Sequence, residues 1–243
     1  MLKFLAGLLL VAPVVAHAAC DAQLPAWAAA LQPGRTLDQE RAACKVWPAD
    51  ESVTLAVLPF AQQPGKDGET VYDLEVLAAD SASGKILAHL NRKAMITSDA
   101  IQFASLTLDT ARYQLSQGVR AFGVRIGYRG SSRVDPYESE VLSLYVIDGT
   151  RIRPVLDNLV MTKGSGEWDG NCAGDFSNTT RTMSVVPARS GSYASLKISE
   201  TTQQEHAKVK GNDCDRSDVE KAHANFTLDY NGTRYGVPSG LSD

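Results

Sequence analysis

Ser52-Val53-Thr54-Leu55-Ala56-Val57-Leu58-Pro59 is the stretch that decides the fold class. Val53, Leu55 and Val57 alternate with Thr54 and Ala56, a period of two that belongs to a strand and not to a helix. The same period recurs downstream. Tyr72, Leu74 and Val76 alternate with Asp73 and Glu75, which predicts a half-solvated strand. Phe122, Val124, Ile126 and Tyr128 form one face of a longer strand, with Arg125 and two glycines on the other. Val141 to Ile147 is apolar on both faces except for Ser143, as expected of a central strand. Between these runs stand the turn pairs Pro64-Gly65, Asp67-Gly68, Ser83-Gly84, Gln117-Gly118 and Asp148-Gly149. The spacing predicts roughly eleven strands and a mainly β, antiparallel β-sandwich.

A repeated order of features extends that reading. Thr54 to Pro59 matches Thr182-Met183-Ser184-Val185-Val186-Pro187, and each is followed by turn residues and a Tyr-led strand, from Tyr72 and from Tyr193. Each half then ends alike, in Tyr145-Val146-Ile147-Asp148-Gly149-Thr150-Arg151-Ile152 and in Leu228-Asp229-Tyr230-Asn231-Gly232-Thr233-Arg234-Tyr235. Asp-Gly and Asn-Gly suit tight hairpin turns, because both central residues take positive φ. The expectation is two related β units, 51–163 and 164–243, packed as one globular body. The competing reading is that strand, proline, turn and strand recur in any β protein.

The segment before the strands, 19–50, reads as helical. Pro25 falls where a first helical turn tolerates proline, Trp27, Ala28 and Leu31 follow, and Pro33-Gly34 ends the run. Thr36 with Gln39 three residues on is a capping box, which predicts a second short helix through Leu37 to Cys44, and Pro48 ends this part.

Residues 1–18 form an export pattern: Lys3, an apolar run from Phe4 to Ala16, and Ala16-His17-Ala18 for a signal peptidase. The expected place is the periplasm, after cleavage behind Ala18. Lipid attachment at Cys20 is the alternative, although His17 stands where that chemistry wants a large aliphatic residue. In a eukaryotic secreted protein Asn178, Asn225 and Asn231, each in an N-x-T triplet, become glycosylation candidates. The formal charge is −4, which argues against nucleic acid as partner. Four cysteines in an exported chain predict two disulfides. Three connectivities exist, and the nearest-neighbour one pairs Cys20–Cys44 and Cys172–Cys214.

No catalytic motif is recognisable. Gly164-Ser165-Gly166 lacks the spacing of a nucleophile elbow. His206 and His223 read as solvated loop residues, and His89 lies near a strand end. Asp213, Asp215, Asp218 and Glu220 cluster without a calcium-loop register, so they read as a solvated charged loop, and neither a metal nor a cofactor is expected. The stretch from Thr162 to Thr180 carries four glycines with Trp168 and Phe176 among them, and reads as a long loop tethered by Cys172. Trp168, Asp169 and Phe176 are therefore the candidate binding residues, as an aromatic recognition tip. The alternative is that Trp168 folds back over a core edge.

Tyr72 to Asp80, Leu144 to Leu159 and the Glu167-Trp168-Asp169-Gly170-Asn171-Cys172 run resemble uncharacterised exported proteobacterial β-rich proteins, over most of the chain beyond the signal. More distantly, the layout is similar to periplasmic immunity proteins of secreted antibacterial toxins. That resemblance implies a non-enzymatic binding protein or inhibitor whose partner is another protein of the cell envelope. It brings no binding residue with it. The alternatives are an envelope-associated carbohydrate-binding or structural module and, further off, a hydrolase with a dispersed triad.

Overall fold

Two-residue periodicity becomes eleven strands, preceded by two helical pieces, α1 (Ala18–Asp21) and α2 (Leu24–Leu31). The strands are β1 (Ala43–Trp47), β2 (Asp50–Ala61), β3 (Thr70–Asp80), β4 (Ile86–Ser98), β5 (Ile101–Ser116), β6 (Val119–Gly130), β7 (Tyr137–Asp148), β8 (Arg151–Trp168), β9 (Gly174–Val186), β10 (Ser195–Lys210) and β11 (Asp213–Leu228). This is a computed structural model, and it describes residues 18–63, 65, 68–187 and 192–242. The export pattern over residues 1–17 lies outside the described residues, as do Pro64 and Asp67 of the turn pairs.

All eleven strands belong to one hydrogen-bonded sheet. Its main path runs β1-β2-β3-β4-β8-β7-β6-β5, and β9, β10 and β11 continue from β8. Every ladder is antiparallel except the β4–β8 joint, a single parallel bridge between His89 and Arg151. Beyond that bridge Arg92 Nη1 reaches Asp157 Oδ1 (2.8 Å), a charge pair that ties the two strands together. Residues 163 and 164 both lie inside β8.

Three cores follow from strand parity. In the first, Leu55, Val57, Leu74 and Val76 of β2 and β3 meet Phe122, Val124, Val141 and Tyr145 of β6 and β7, so the sheet curls back on itself. In the second, Leu142, Leu144, Leu156 and Leu159 on the other face of β7 and β8 are covered by Leu196, Ile198, Leu228, Tyr235 and Leu241. In the third, Leu24, Trp27 and Ala28 of α2 lie on Ala56, Leu58, Phe60, Leu77 and Ala79, the outer face of β2 and β3.

That third core corrects the reading of β3 as half-solvated. Asp73 and Glu75 are only 2% and 1% exposed. The segment after α2 crosses their face. Gln32 Nε2 and Asn91 Nδ2 donate to Glu75 Oε1 at 2.6 and 2.7 Å. Arg35, Gln62, Lys93 and the Ala94 backbone N–H all donate to Asp73. Burial opposes the charge on Asp73, but those donors outweigh it and hold the carboxyl well below the usual carboxylate range.

The second short helix does not form. Leu37 makes a bridge to Phe60, residues 39–41 turn, and Ala43–Trp47 pairs with β2 from Ala43↔Val57 onward. A capping box contributes on the order of 1 kcal/mol, which the pairing of a whole strand outweighs. Pro48 therefore ends a strand and not a helix. The first helix keeps its predicted start, with Pro25 in its first turn.

Both disulfides pair nearest neighbours, Cys20–Cys44 and Cys172–Cys214. No helix among the described residues is long and apolar enough to cross a membrane.

Candidate functional site

The last buried residue of β8 is Met161. Beyond it β8 runs past the second core and pairs with the start of β9, from Thr162↔Thr180 to Trp168↔Gly174. β10 and β11 continue alongside, so the stretch from Thr162 to Thr180 is two long strands of a projecting ribbon and not a loop. The connection is only 169–173. Glycine misled the reading, because inside a strand it marks close approach instead of a turn. A Cβ on Gly166 would stand 2.5 Å from Phe176 Cδ1, and one on Gly174 would stand 2.4 Å from Trp168 Cβ. His206 lies in β10, and His223 and the acidic run from Asp213 to Glu220 lie in β11, so these too are strand residues and not a loop.

The ribbon's end is fixed in three ways. Cys172, 3% exposed, joins the β8–β9 connection to Cys214 at the start of β11. Asp169 Oδ1 accepts the backbone N–H groups of Asn171 and Cys172, both at 2.8 Å, which hold its carboxyl below the ordinary value. Trp168 donates its indole N–H to Arg133 O and its backbone N–H to Val134 O (3.0 Å), pinning the connection between β6 and β7. Gly166 N adds a bond to Pro136 O at 3.1 Å.

Trp168 thus gives both of its N–H groups to internal contacts, and Asp169, itself exposed, gives one carboxylate oxygen. Phe176 is half-buried, faces Gly166 across the ladder and lies 5.5 Å from the Arg216 guanidinium carbon.

Beside this end lies an open groove of about 640 Å³, and of the three candidates only Phe176 lines it. Its charged wall consists of Asp135, Glu167, Asp175, Glu220 and His206, with no Lys or Arg among the lining residues, while Phe176 and Glu205, one row along, turn their side chains to the ribbon's other face. Strand register makes the cluster. Glu167, Asp175 and His206 are cross-strand neighbours in one row, and directly paired residues share a face. Asp135 joins from the pinned β6–β7 connection. His206 Nδ1 lies 2.6 Å from Asp175 Oδ1, and Arg216 approaches Glu205 at 3.7 Å. Among the described residues Asp135, Glu167 and Glu220 have no cationic partner, so they present negative charge to whatever enters. Sequence reading did not link these groups because they come from four strands and the β6–β7 connection, and no local signal joins them.

Other chemistry has weaker footing. The one group of three metal-ligating side chains found close together among the described residues is Cys20, Asp21 and Cys44, whose two sulfurs form a disulfide. Comparison with known protein families, characterised proteins and solved structures finds no match to this chain.

Proposed function

We propose that the chain is a non-enzymatic binding protein of the periplasm, which holds a cationic surface of another envelope protein, in the manner of an immunity protein or inhibitor. The observation that carries this is the groove lined by Asp135, Glu167, Asp175 and Glu220, four carboxylates with no lysine or arginine among the lining residues, set on a ribbon that a disulfide and Trp168 tie down. Preorganised like charge raises the encounter rate of an oppositely charged partner and selects against others. Two disulfides support an oxidising compartment. Lipid attachment at Cys20 needs the sulfur that Cys44 holds, which favours cleavage behind Ala18. Trp168, Asp169 and Phe176 then shape the ribbon that carries the surface, Phe176 from the opposite face. The two related β units remain part of this proposal. Support comes from the matched strands lying in β2 and β9, each paired to the next strand in sequence.

The test is retention of a partner from envelope extract on the immobilised chain. Wild type should retain one at low salt and lose it as ionic strength rises. The triple variant Glu167→Gln, Asp175→Asn, Glu220→Gln should retain nothing while unfolding at the wild-type temperature. Recovery of no partner, or equal retention by the variant, overturns the reading.

A second reading, hydrolysis, rests on one contact. The Asp175–His206 pair has the orienting hydrogen bond of a general base, and Ser165 and Ser177 line the same groove. Ester turnover that His206→Ala abolishes would establish it.

A further inference from the structure

The ribbon face opposite the acidic groove carries a cleft of its own, of about 350 Å³. Strand register builds its floor. Arg129 of β6, Glu138 of β7, Gly164 of β8 and Asn178 of β9 pair in turn, so they lie in one row on one face. The next row on that face holds Pro136 and Phe176, with Gly166 between them. The four residues of the first row line the cleft, and so do Pro136 and Phe176.

Gly164 keeps the floor open. A Cβ there would stand 2.9 Å from Asn178 Oδ1 and 3.1 Å from Glu138 Cγ, so two polar side chains converge over bare backbone. Arg129, Glu138 and Asn178 are exposed, and among the described residues none of the three has a hydrogen bond or an ion pair. Arg129 and Glu138 carry opposite charges on directly paired positions and still do not bond each other. The apolar row, by contrast, is held in place. Gly166 N bonds Pro136 O at 3.1 Å, and Phe176 packs on Gly166 and against the Arg216 guanidinium. A wall fixed in advance lowers the ordering cost of binding.

We propose that this cleft binds a neutral saccharide chain bearing N-acetyl groups, its polar atoms bonded along Arg129, Glu138 and Asn178 and an acetamide methyl lying against Pro136 and Phe176. A guanidinium only donates, a carboxylate only accepts, and an amide does both. A ligand spanning this row must therefore donate and accept on successive strands, which is what sugar hydroxyls do, each with one donor and two acceptor sites. One cation and one anion cancel, so the cleft selects no net charge. A zwitterion would meet the two charges but leave Asn178 and the apolar row unused, and exposed ion pairs contribute little. The volume suits a short stretch of sugar chain. This site lies on the other face from the acidic groove and stands or falls independently of it.

Titration of the purified chain with chitotriose, the trimer of N-acetylglucosamine, tests the proposal, read by calorimetry and by amide resonances. The side-chain amide of Asn178 and the backbone amide of Gly164 should move, and binding should saturate at one trimer per chain. Added salt, which releases a cationic partner from the acidic groove, should leave this affinity unchanged. Asn178→Ala and Arg129→Ala should each weaken binding about tenfold. Cellotriose, which lacks the acetamide groups, should bind more weakly, and the zwitterion diglycine should not bind. Resonances of Asn178 and Gly164 that stay in place, wild-type affinity in both variants, or equal binding of cellotriose or diglycine overturns the proposal. The resonance experiment needs only the wild-type chain, so a variant that fails to fold does not remove the test.

Discussion

The backbone N–H of Ala94 lies 2.8 Å from the buried carboxylate of Asp73, and Ala94 holds a left-handed backbone, φ +48°, to place it there. The register between β3 and β4 shifts at this point, from Leu74↔Arg92 to Tyr72↔Ile96. A bulge in β4 thus turns one strand's N–H toward a charge on its neighbour. Asp73 also takes Arg35 from the segment after α2 and Gln62 from the end of β2, so one carboxylate joins three parts of the chain.

Asp73→Asn should lower stability by about 3 kcal/mol, because it leaves buried donors facing an amide and removes the charge that Arg35 and Lys93 share. Urea unfolding of the two proteins at neutral pH checks this. The pH dependence follows from the lowered carboxyl pKa. The ionised group's contribution is fully present above the unfolded value, about 3.9, and is lost as pH falls through the folded one. Wild type should therefore lose stability steeply below about pH 4, and Asp73→Asn should lose less over the same range.

Ala94→Gly should stabilise the protein slightly. A left-handed alanine is strained by about 1–2 kcal/mol, and the greater freedom of an unfolded glycine takes back part of that. A gain of roughly 0.5 kcal/mol is expected from the difference. Ala94→Val should be destabilising. A midpoint for glycine below that for alanine would show that the positive φ carries no strain.

Replacement of both Cys172 and Cys214 by serine should loosen the ribbon's end before the cores. The chain-entropy model gives about 4 kcal/mol for a closed loop of this length. Hydrogen exchange checks the location. Amides of residues 169–173 and 209–214 should exchange faster, while those of β2, β3 and β7 keep their protection.

Gly174→Ala should be destabilising by about 2 kcal/mol, since its Cβ would lie 2.4 Å from Trp168 Cβ and 2.6 Å from Glu167 O. The same change should weaken retention of a partner by the groove. Gly118→Ala meets no atom within 4 Å but sits at φ +78°, so any loss there is backbone strain alone. Comparing the two variants separates packing from conformation.

Sequence alone determined the class of fold. Alternation over Val53 to Val57 and Phe122 to Tyr128 requires strands, because only a period of two brings those side chains to one face. Val141 to Ile147 gave away a central strand, since both of its faces exclude water. Both disulfide pairs match the nearest-neighbour expectation, one of the three connectivities that four cysteines allow. The tertiary structure decided three matters that local pattern could not reach. It buried Asp73 and Glu75, because a distant segment supplied the donors that make a buried carboxylate tolerable. It turned the glycine-rich stretch into paired strands, because Gly166 and Gly174 answer to Phe176 and Trp168 across a ladder. It assembled the acidic groove from Asp135, Glu167, Asp175 and Glu220, since their proximity depends on strand register, which is set by long-range pairing and leaves no mark among neighbours in sequence.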